Sequence, residues 1–239
     1  MMKKILDYVY SLILIKIIGR SLISRYADMY QVSSSIKILE NDFGHFRSIE
    51  RQIPIDGNGN PLPWFTYPSI EYLNQLDLKD KMIFEWGSGN SSQYFAKRAK
   101  RLISVEDNEE WYNKNARLKL ENHEIFLESG DNYIGSIGKH GLKFDVIIID
   151  GKFRIECAKI ARNYLNVGGI IILDNSDWYK NTAKYLREQN MIEVDFHGFG
   201  PINQYNWTTS FFLDRAFNFR TLNDIQPLDP IGNLPKTCD

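Results

Sequence analysis

The segment Phe144–Gly151 reads FDVIIIDG, and the segment Leu165–Asp177 reads LNVGGIIILDNSD. Each contains an unbroken apolar run that ends in an aspartate. A strand that is apolar at every position is buried on both faces, which is typical of a parallel sheet covered by helices. The two segments therefore predict buried parallel strands in an α/β protein.

Short apolar runs alternate with segments of helical period from Tyr67 onward. The predicted strands are Met82–Trp86, Leu102–Val105, Ile125–Leu127, Phe144–Ile149, Ile170–Leu173, Met191–Phe196 and Trp207–Leu213. The predicted helices are Ser91–Lys100, Glu109–Leu120, Arg154–Asn166 and Asn181–Gln189, the third with a stop at Val167-Gly168-Gly169. This alternation predicts a three-layer, doubly wound, Rossmann-like sheet that is mostly parallel. Because no helix separates the last two strands, we expect them to form an antiparallel C-terminal hairpin.

The composition is that of an ordinary globular protein. Of the 239 residues, 43% are hydrophobic and 25% are charged, and the formal net charge is −1. A near-neutral chain lacks the basic footprint of a nucleic-acid-binding protein. The two cysteines, Cys157 and Cys238, have no partner at metal-site spacing. They fit a reducing compartment, so we predict a cytoplasmic protein.

A glycine-containing turn follows the first predicted strand. Two glycines in EWGSGN (Glu85–Asn90) allow a sharp turn and a close approach of a ligand to the backbone. A dinucleotide fingerprint needs a third glycine, and Ser92 stands at that position. Glu106 ends the next strand, where a carboxylate can accept hydrogen bonds from both hydroxyls of a cofactor ribose. Such a site suits a nucleoside cofactor without phosphates better than a dinucleotide.

Four motifs in this order resemble the core of class I S-adenosylmethionine-dependent methyltransferases. They are EWGSGNSS, SVEDN (Ser104–Asn108), FDVIIIDG and LNVGGIIILDNSD, and the resemblance covers Met82–Asp177. It implies that the glycines lie under the methionine moiety, with Glu85 near its ammonium group, and that Glu106 holds the ribose. Asp131 would contact the adenine edge or simply cap a helix. The implied cofactor-binding residues are Glu85, Gly87, Ser88, Gly89, Asn90, Glu106, Asp107, Asp131 and Asp150.

Asp150 is the first candidate catalytic residue, because a carboxylate at the end of a buried strand is costly without a function or a partner. Asp150, Asp174 and Asn175 also resemble the oxygen ligands of cation-dependent O-methyltransferases, which implies Mg²⁺ or Ca²⁺. The alternative is that Asp174 and Asn175 only cap the next helix. Those enzymes carry a lysine three residues after the first aspartate, whereas this chain has Phe153, flanked by Lys152 and Arg154.

The acceptor is predicted to be a small molecule or a sugar or glycan hydroxyl. His197 is a candidate general base or, alternatively, a surface residue. Trp64, Phe65 and Tyr67, with the loop Gly198–Asn206, form the candidate acceptor pocket. The rival hypotheses are an NAD-dependent oxidoreductase or sugar-nucleotide enzyme, and a non-catalytic scaffold that binds the cofactor. A nucleic-acid acceptor is not expected, because the chain has no N/D-P-P-Y motif.

The predicted organisation has three parts. Residues 1–66 form a helical extension that caps the acceptor side, residues 67–215 form the cofactor-binding domain, and residues 216–239 form an irregular tail. The extension begins with an apolar helix, Ile5–Ile18, whose uncharged run is far shorter than the roughly 20 residues that span a bilayer. We expect it to dock on the domain or on the second subunit of a homodimer. A membrane-surface contact or a cleaved targeting segment are the alternatives.

Overall fold

The computed structural model describes residues 28–118 and 120–234. Its strands are β1 Met82–Trp86, β2 Arg101–Glu106, β3 His123–Leu127, β4 Phe144–Ile149, β5 Leu165–Asp174, β6 Ile192–Gly198 and β7 Trp207–Leu213. Its helices are α1 His45–Arg51, α2 Tyr67–Asn74, α3 Asn90–Ala96, α4 Glu109–Ala116, α5 Gly130–Gly135, α6 Arg154–Tyr164 and α7 Lys180–Glu188. Single turns of π or 3₁₀ helix occupy Ile38–Asp42, Ser136–His140 and Leu222–Asp224.

The seven strands form one sheet in the order β3-β2-β1-β4-β5-β7-β6. The first five strands are parallel, and β7 pairs antiparallel with both β5 and β6. This confirms the predicted Rossmann-like, mostly parallel sheet and its antiparallel hairpin. The order also places β7, and not β6, next to β5, so the last strand of the chain lies inside the sheet.

Alternate residues of the central strands pack into two apolar layers. One layer joins Phe84, Ile147 and Ile171 to α6 and α7 through buried residues such as Ala158 and Leu186. The other joins Ile83, Val146, Ile148 and Ile172 to α2 and α3. Because β4 contributes isoleucines to both layers, its run of apolar residues is the direct result of burial on both faces.

Several predicted helix ends were wrong. The helix after β1 ends at Ala96 and the helix after β2 ends at Ala116, each four residues before the predicted end. The short helix α5 was not predicted, because its six residues contain two glycines, Gly130 and Gly135. These differences lie at element ends and in a connection, so they leave the order of the sheet unchanged.

The predicted stop at Gly168 lies inside β5, because α6 already ends at Tyr164. Pairing of β4 with β5 shifts register between Phe144 and Val146, which accommodates the extra residues. Gly168 adopts φ +77°, a conformation that glycine supplies without strain. The two glycines therefore form an irregularity in a strand and not the end of a helix.

Parts of the described N-terminal and C-terminal segments pack on the core, among them Leu39 and Phe43. Residues 28–37 are helical, and Asn90 Nδ2 donates to Pro54 O at 2.7 Å, which ties the extension to the start of α3. The predicted helix Ile5–Ile18 lies outside the described residues. Phe217 and Phe219 of the tail pack on the core layer of α2. Within the described ranges, no helix is long and apolar enough to cross a membrane.

Asp214, directly after β7, is expected to be a main contributor to the stability of this region. It accepts hydrogen bonds from Gly168 N (3.0 Å) and Ala216 N (2.9 Å), and Arg162 lies 2.6 Å away. These amide bonds, followed by the charge of Arg162, lower the pKa of Asp214. Asp214→Ala leaves a buried amide without its acceptor and is expected to cost about 1–3 kcal/mol of unfolding free energy.

Urea unfolding at two pH values tests this expectation. A lowered pKa means that the ionised form stabilises the fold, so the contribution is full above the ordinary aspartate pKa and is lost as the pH falls through the lowered value. The difference between wild type and Asp214→Ala should therefore shrink as the pH falls below the ordinary aspartate range. The exposed Asp229→Ala is the matched control and should change little at either pH. Equal destabilisation by the two variants would contradict the assignment.

Candidate active site

A cavity of about 570 Å³ opens at the carboxyl ends of β1, β2, β4 and β5. This is where doubly wound sheets bind their ligands. Its floor and one wall come from the turns after these strands, and its other wall comes from the N-terminal extension and the loop before β7. The lining residues from the strand ends are Gly87, Ser88, Gly89, Asn90, Ser91, Glu106, Asp107, Asp150, Gly151, Lys152, Arg154, Asp174 and Asn175.

The glycine turn after β1 forms part of this floor. Gly87 has φ +106°, and a Cβ there would lie 3.3 Å from Gly151 N in the turn after β4. A Cβ at Gly89 would meet no atom within 4 Å, because this residue faces the open cavity. Gly87 is thus required by the fold of the turn, whereas the absence of a side chain at Gly89 keeps space for a ligand.

Glu85 lies beneath the turn and does not line the cavity. Its carboxyl group is buried and accepts hydrogen bonds from Ser91 Oγ (2.5 Å), Ser92 Oγ (2.6 Å) and Ser104 Oγ (2.8 Å). Burial raises the pKa of Glu85 to about 7, although the serine hydroxyls act in the opposite direction. Ser92 Oγ also accepts from Gly89 N, so Glu85 holds the turn from below. Its predicted place near a ligand ammonium group stays a prediction.

Glu106 does line the cavity, at the end of β2. Its Oε1 accepts from the amides of Asp107 and Asn108, and its Oε2 accepts from Ser88 Oγ at 2.9 Å. A carboxylate has about four acceptor positions, so one is left for a ligand hydroxyl. Asp107 also lines the cavity and forms an ion pair with Lys152 at 2.5 Å. This ion pair therefore links the turns after β2 and β4 across the cavity.

Asp131 does not line the cavity, and its predicted contact with an adenine edge stays a prediction. It is exposed in the first turn of α5. Negative charge in the first turn of a helix is favourable, because the unpaired amides there carry partial positive charge. The alternative interpretation, a role at the start of the helix, fits its position in the first turn.

Asp150 lies at the point where the turns after β1 and β4 meet, with about 24% of its side chain exposed. Its Oδ1 accepts from Arg154 Nη2 at 3.0 Å, and within the described ranges no hydrogen bond engages its Oδ2. Burial raises the pKa of Asp150 to about 6, and Glu106 contributes in the same direction, against the attraction of Arg154. Asp150 therefore lines the cavity with one carboxylate oxygen that no internal donor engages in the described ranges.

Asp174 and Asn175 do not complete a cation site with Asp150. The buried carboxyl group of Asp174 accepts from Trp207 Nε1 (3.0 Å) and Thr209 Oγ1 (2.6 Å). Burial, followed by the charge of Asp150, raises the pKa of Asp174 well above its ordinary value. Asn175 Oδ1 accepts from Arg154 Nη1 at 3.2 Å. Each of the three predicted ligand side chains therefore already has one oxygen bonded to an internal donor. In the described part of the chain no group of three His, Cys, Asp or Glu residues could hold a metal ion.

His197 is not part of this cavity. It lies on β6, the edge strand beyond β7, in a separate depression with Asp177, Lys180 and Thr208. Its Nδ1 is 2.7 Å from Thr208 Oγ1. The structure does not bring His197 near Asp150 or the glycine turn, so the surface role is the reading that its position supports.

The far wall of the cavity carries exposed aromatic and amide side chains. Trp64, Trp178 and Tyr205 are 41%, 58% and 46% exposed, and the last two rings lie 6.2 Å apart between centroids. Asn203 and Gln52 line the same wall. Phe65 and Tyr67, which the sequence placed here, are buried in the core layer of α2 instead. The sequence did not point to Trp178 or to residues 52–54, because nothing in their local pattern separates them from ordinary loop residues.

Comparison with known proteins places the fold but not the family. No protein-family model matches the chain, and no curated protein matches it. Among solved structures, a precorrin-6Y C5,15-methyltransferase from Geobacter metallireducens GS-15 aligns with TM-score 0.51 and 14% identity over 68% of this chain and 97% of its own. The O-methyltransferase TomG from Streptomyces achromogenes, solved with S-adenosylmethionine, aligns with TM-score 0.50 and 14% identity over 74% and 88%. At these identities the likeness establishes a shared Rossmann-like methyltransferase fold.

Proposed function

We propose that the chain is an S-adenosylmethionine-dependent methyltransferase that acts on a hydroxyl oxygen of a small molecule or sugar. The observation that carries this proposal is the arrangement of the cavity, in which a cofactor half and an acceptor half meet at Asp150. The first half has the glycine turn and Glu106, and the second has the wall of Trp64, Trp178 and Tyr205.

The cofactor half fits a nucleoside without phosphates. Glu106 offers a carboxylate oxygen for a ribose hydroxyl, and the open space at Gly89 lets a ligand reach the backbone. A dinucleotide fingerprint needs a third glycine after the turn, whereas this chain has Ser92 there, bonded to the buried carboxyl group of Glu85. The sheet order, with an antiparallel β7 beside β5, also departs from the order 3-2-1-4-5-6 of dinucleotide-binding proteins. An NAD-dependent reaction is therefore the weaker candidate.

The acceptor half fits a neutral, hydroxylated compound. Aromatic faces and amides such as Asn203 suit a sugar ring or a small aromatic ring. The basic residues of the cavity wall are Lys114, Lys152 and Arg154, and the last two already have partners in Asp107 and Asp150. A phosphate or carboxylate on the acceptor would thus find little free positive charge here.

Asp150 would remove the acceptor proton during the transfer. Bound S-adenosylmethionine supplies an electrophilic methyl group on a sulfonium sulfur. The Oδ2 atom of Asp150 is free to accept the hydroxyl proton, while Arg154 fixes the other oxygen. The remaining contribution of the chain is to hold the acceptor oxygen in line with the methyl group, because positioning supplies much of the rate of such reactions.

Calorimetry with the full chain and three ligands tests the cofactor. We expect S-adenosylmethionine and S-adenosylhomocysteine to bind at one site per chain, and NAD to give no saturable heat. Tight NAD binding without a response to the two sulfur compounds would overturn the proposal. Binding of S-adenosylmethionine without turnover of any sugar or phenol in an acceptor panel would favour the scaffold hypothesis.

Glu106→Gln is expected to weaken S-adenosylmethionine binding about 10-fold or more. The substitution keeps the shape of the side chain but removes the charge, and a hydrogen bond to a charged group contributes about 1.5–3 kcal/mol. Glu109→Gln, on the exposed first turn of α4, makes the same change in net charge outside the cavity. Titration calorimetry should separate the two variants, and equal affinities would show that Glu106 does not contact the cofactor.

A further inference from the structure

The side chain of Arg154 is enclosed where the turns after β4 and β5 meet. It is the first residue of α6, only 9% of it is exposed, and its guanidinium carbon lies 4.3 Å from the ring centroid of Tyr179. A guanidinium group stays charged in proteins and is more weakly hydrated than an ammonium group, so it tolerates such enclosure. Burial of a charge is nevertheless costly unless the surroundings satisfy it.

Every N–H group of this guanidinium has an oxygen acceptor. Nε donates to Gly151 O at 3.0 Å. Nη2 donates to the backbone O and to Oδ1 of Asp150, both at 3.0 Å. Nη1 donates to the backbone O of Asp174 and, at 3.2 Å, to Asn175 Oδ1. Five oxygens from the ends of two neighbouring strands therefore converge on one positive charge.

This convergence explains why the predicted cation site is not formed. Two of the three predicted ligand side chains, Asp150 and Asn175, direct an oxygen at Arg154. The third, Asp174, directs only its backbone oxygen at Arg154, and its Oδ1 accepts from both Trp207 Nε1 and Thr209 Oγ1. We propose that the Arg154 guanidinium occupies the place of a divalent cation, positions Asp150 and Asn175 for the acceptor, and makes the reaction independent of added metal.

The hydrogen bonds of Arg154 also indicate whether it can bind the acceptor directly. Because all five N–H groups are engaged within the protein, none is left to bind an anionic acceptor. The fork geometry of the guanidinium fixes Asp150 Oδ1 and leaves Oδ2 toward the cavity. Arg154 is therefore a positioning residue that acts through Asp150. The metal-binding part of this inference stands on geometry alone, and its effect on turnover rests on the proposed function.

Calorimetric metal titration tests the first part without any assay of methyl transfer, and turnover in chelator is a second, separate measurement. Calorimetry of the wild-type protein with Mg²⁺, Ca²⁺ and Mn²⁺ should give no saturable binding at this site, and turnover should be unchanged in chelator. One equivalent of bound cation that disappears in Asp150→Asn would overturn the proposal. So would loss of turnover in chelator that a divalent cation restores. The titration remains decisive even if the protein fails to bind S-adenosylmethionine.

Arg154→Met and Arg154→Lys test the positioning role. Misplacement of a catalytic group by about 1 Å can cost about 10²-fold in rate, so kcat should fall by that order in Arg154→Met while the Kd for S-adenosylmethionine is retained. The acid limb of the pH profile should move upward in Arg154→Met, because the positive charge that opposes protonation of Asp150 is gone. Arg154→Lys keeps the charge, so it should lower kcat while holding the limb closer to that of the wild type.

Two controls keep this test interpretable. Lys159→Met removes an exposed cation from the same helix and should change neither kcat nor the pH profile. Thermal unfolding identifies a variant that fails to fold, and Arg154→Lys then carries the test. Wild-type kcat together with a wild-type pH profile in a folded Arg154 variant would contradict the positioning role.

Discussion

Replacement of Asp150 by asparagine is expected to lower kcat/KM for methyl transfer by about 10²–10⁴-fold, the usual contribution of a general base. The substitution keeps an oxygen for the hydrogen bond with Arg154 but removes the basic Oδ2 that faces the cavity. It leaves the glycine turn and Glu106 in place. The loss should therefore appear in kcat, with a much smaller change in the Kd for S-adenosylmethionine.

The pH profile of the wild-type enzyme gives an independent measure of the same residue. Asp150 acts only when it is deprotonated, and its pKa is raised to about 6. Turnover should therefore rise with pH through about 6 and then level off. The titratable and charged neighbours of Asp150 are Glu106, Arg154 and Asp174, with Glu85 beneath the turn. Because these groups interact, the acid limb reports their coupled titration and not that of Asp150 alone. Asp150→Asn should lose that limb.

Asp80→Asn is the matched control for this substitution. Asp80 is exposed in the turn before β1 and does not line the cavity. We expect wild-type kcat and wild-type cofactor affinity. A large loss in Asp80→Asn with little loss in Asp150→Asn would show that the reacting groups lie elsewhere.

The fold was predictable because the pattern of apolar residues within each strand determines most of it. The isoleucine runs of β4 and β5 require burial on both faces, and the missing helix before β7 requires a hairpin. The sheet order at the hairpin was not predictable, because the same pattern allows either β6 or β7 to pair with β5. That choice moved His197 to the far edge, two strands from β5 and about 10 Å away at the usual strand spacing.

The site was predictable where the backbone alone places a residue. Gly87, Glu106 and Asp150 each end a parallel strand, so they meet at one edge of the sheet whatever their side chains do. Side-chain partners were not predictable, because they depend on packing between distant segments. Oδ1 of the buried Asp174, for example, accepts a hydrogen bond from Thr209, 35 residues away in sequence, which no local pattern indicates.

Glu85 and Arg154 also show that side-chain partners cannot be predicted from the sequence. The sequence correctly marked both as charged groups near the glycine turn or Asp150, but it could not show that each is enclosed by internal partners. Three serines surround Glu85, and five oxygens surround Arg154. Glu85 lies behind the cavity wall and Arg154 lies in it, but the polar atoms of both are bonded within the protein. No linear motif distinguishes this arrangement from direct contact with a ligand.

Gly89→Val is expected to lower the affinity for S-adenosylmethionine by about 10²-fold or more while the protein folds normally. Gly89 has φ 172°, an extended conformation open to any residue, and a Cβ there meets no atom within 4 Å. A change from glycine to valine at a helix N-cap costs only about 1 kcal/mol. The added side chain would fill the space that a ligand needs to reach the backbone, so the loss should fall on binding and not on stability.

Gly87→Ala provides the contrast that makes this result diagnostic. Its φ of +106° is strained for any side chain, and its Cβ would crowd Gly151 N at 3.3 Å. We expect a loss of about 1–3 kcal/mol of unfolding free energy, so weaker binding in this variant reports damage to the turn. Only Gly89→Val separates ligand approach from the fold of the turn. Undiminished S-adenosylmethionine affinity in a folded Gly89→Val protein would mean that the cofactor does not pass over this turn, and the cavity would then need another occupant.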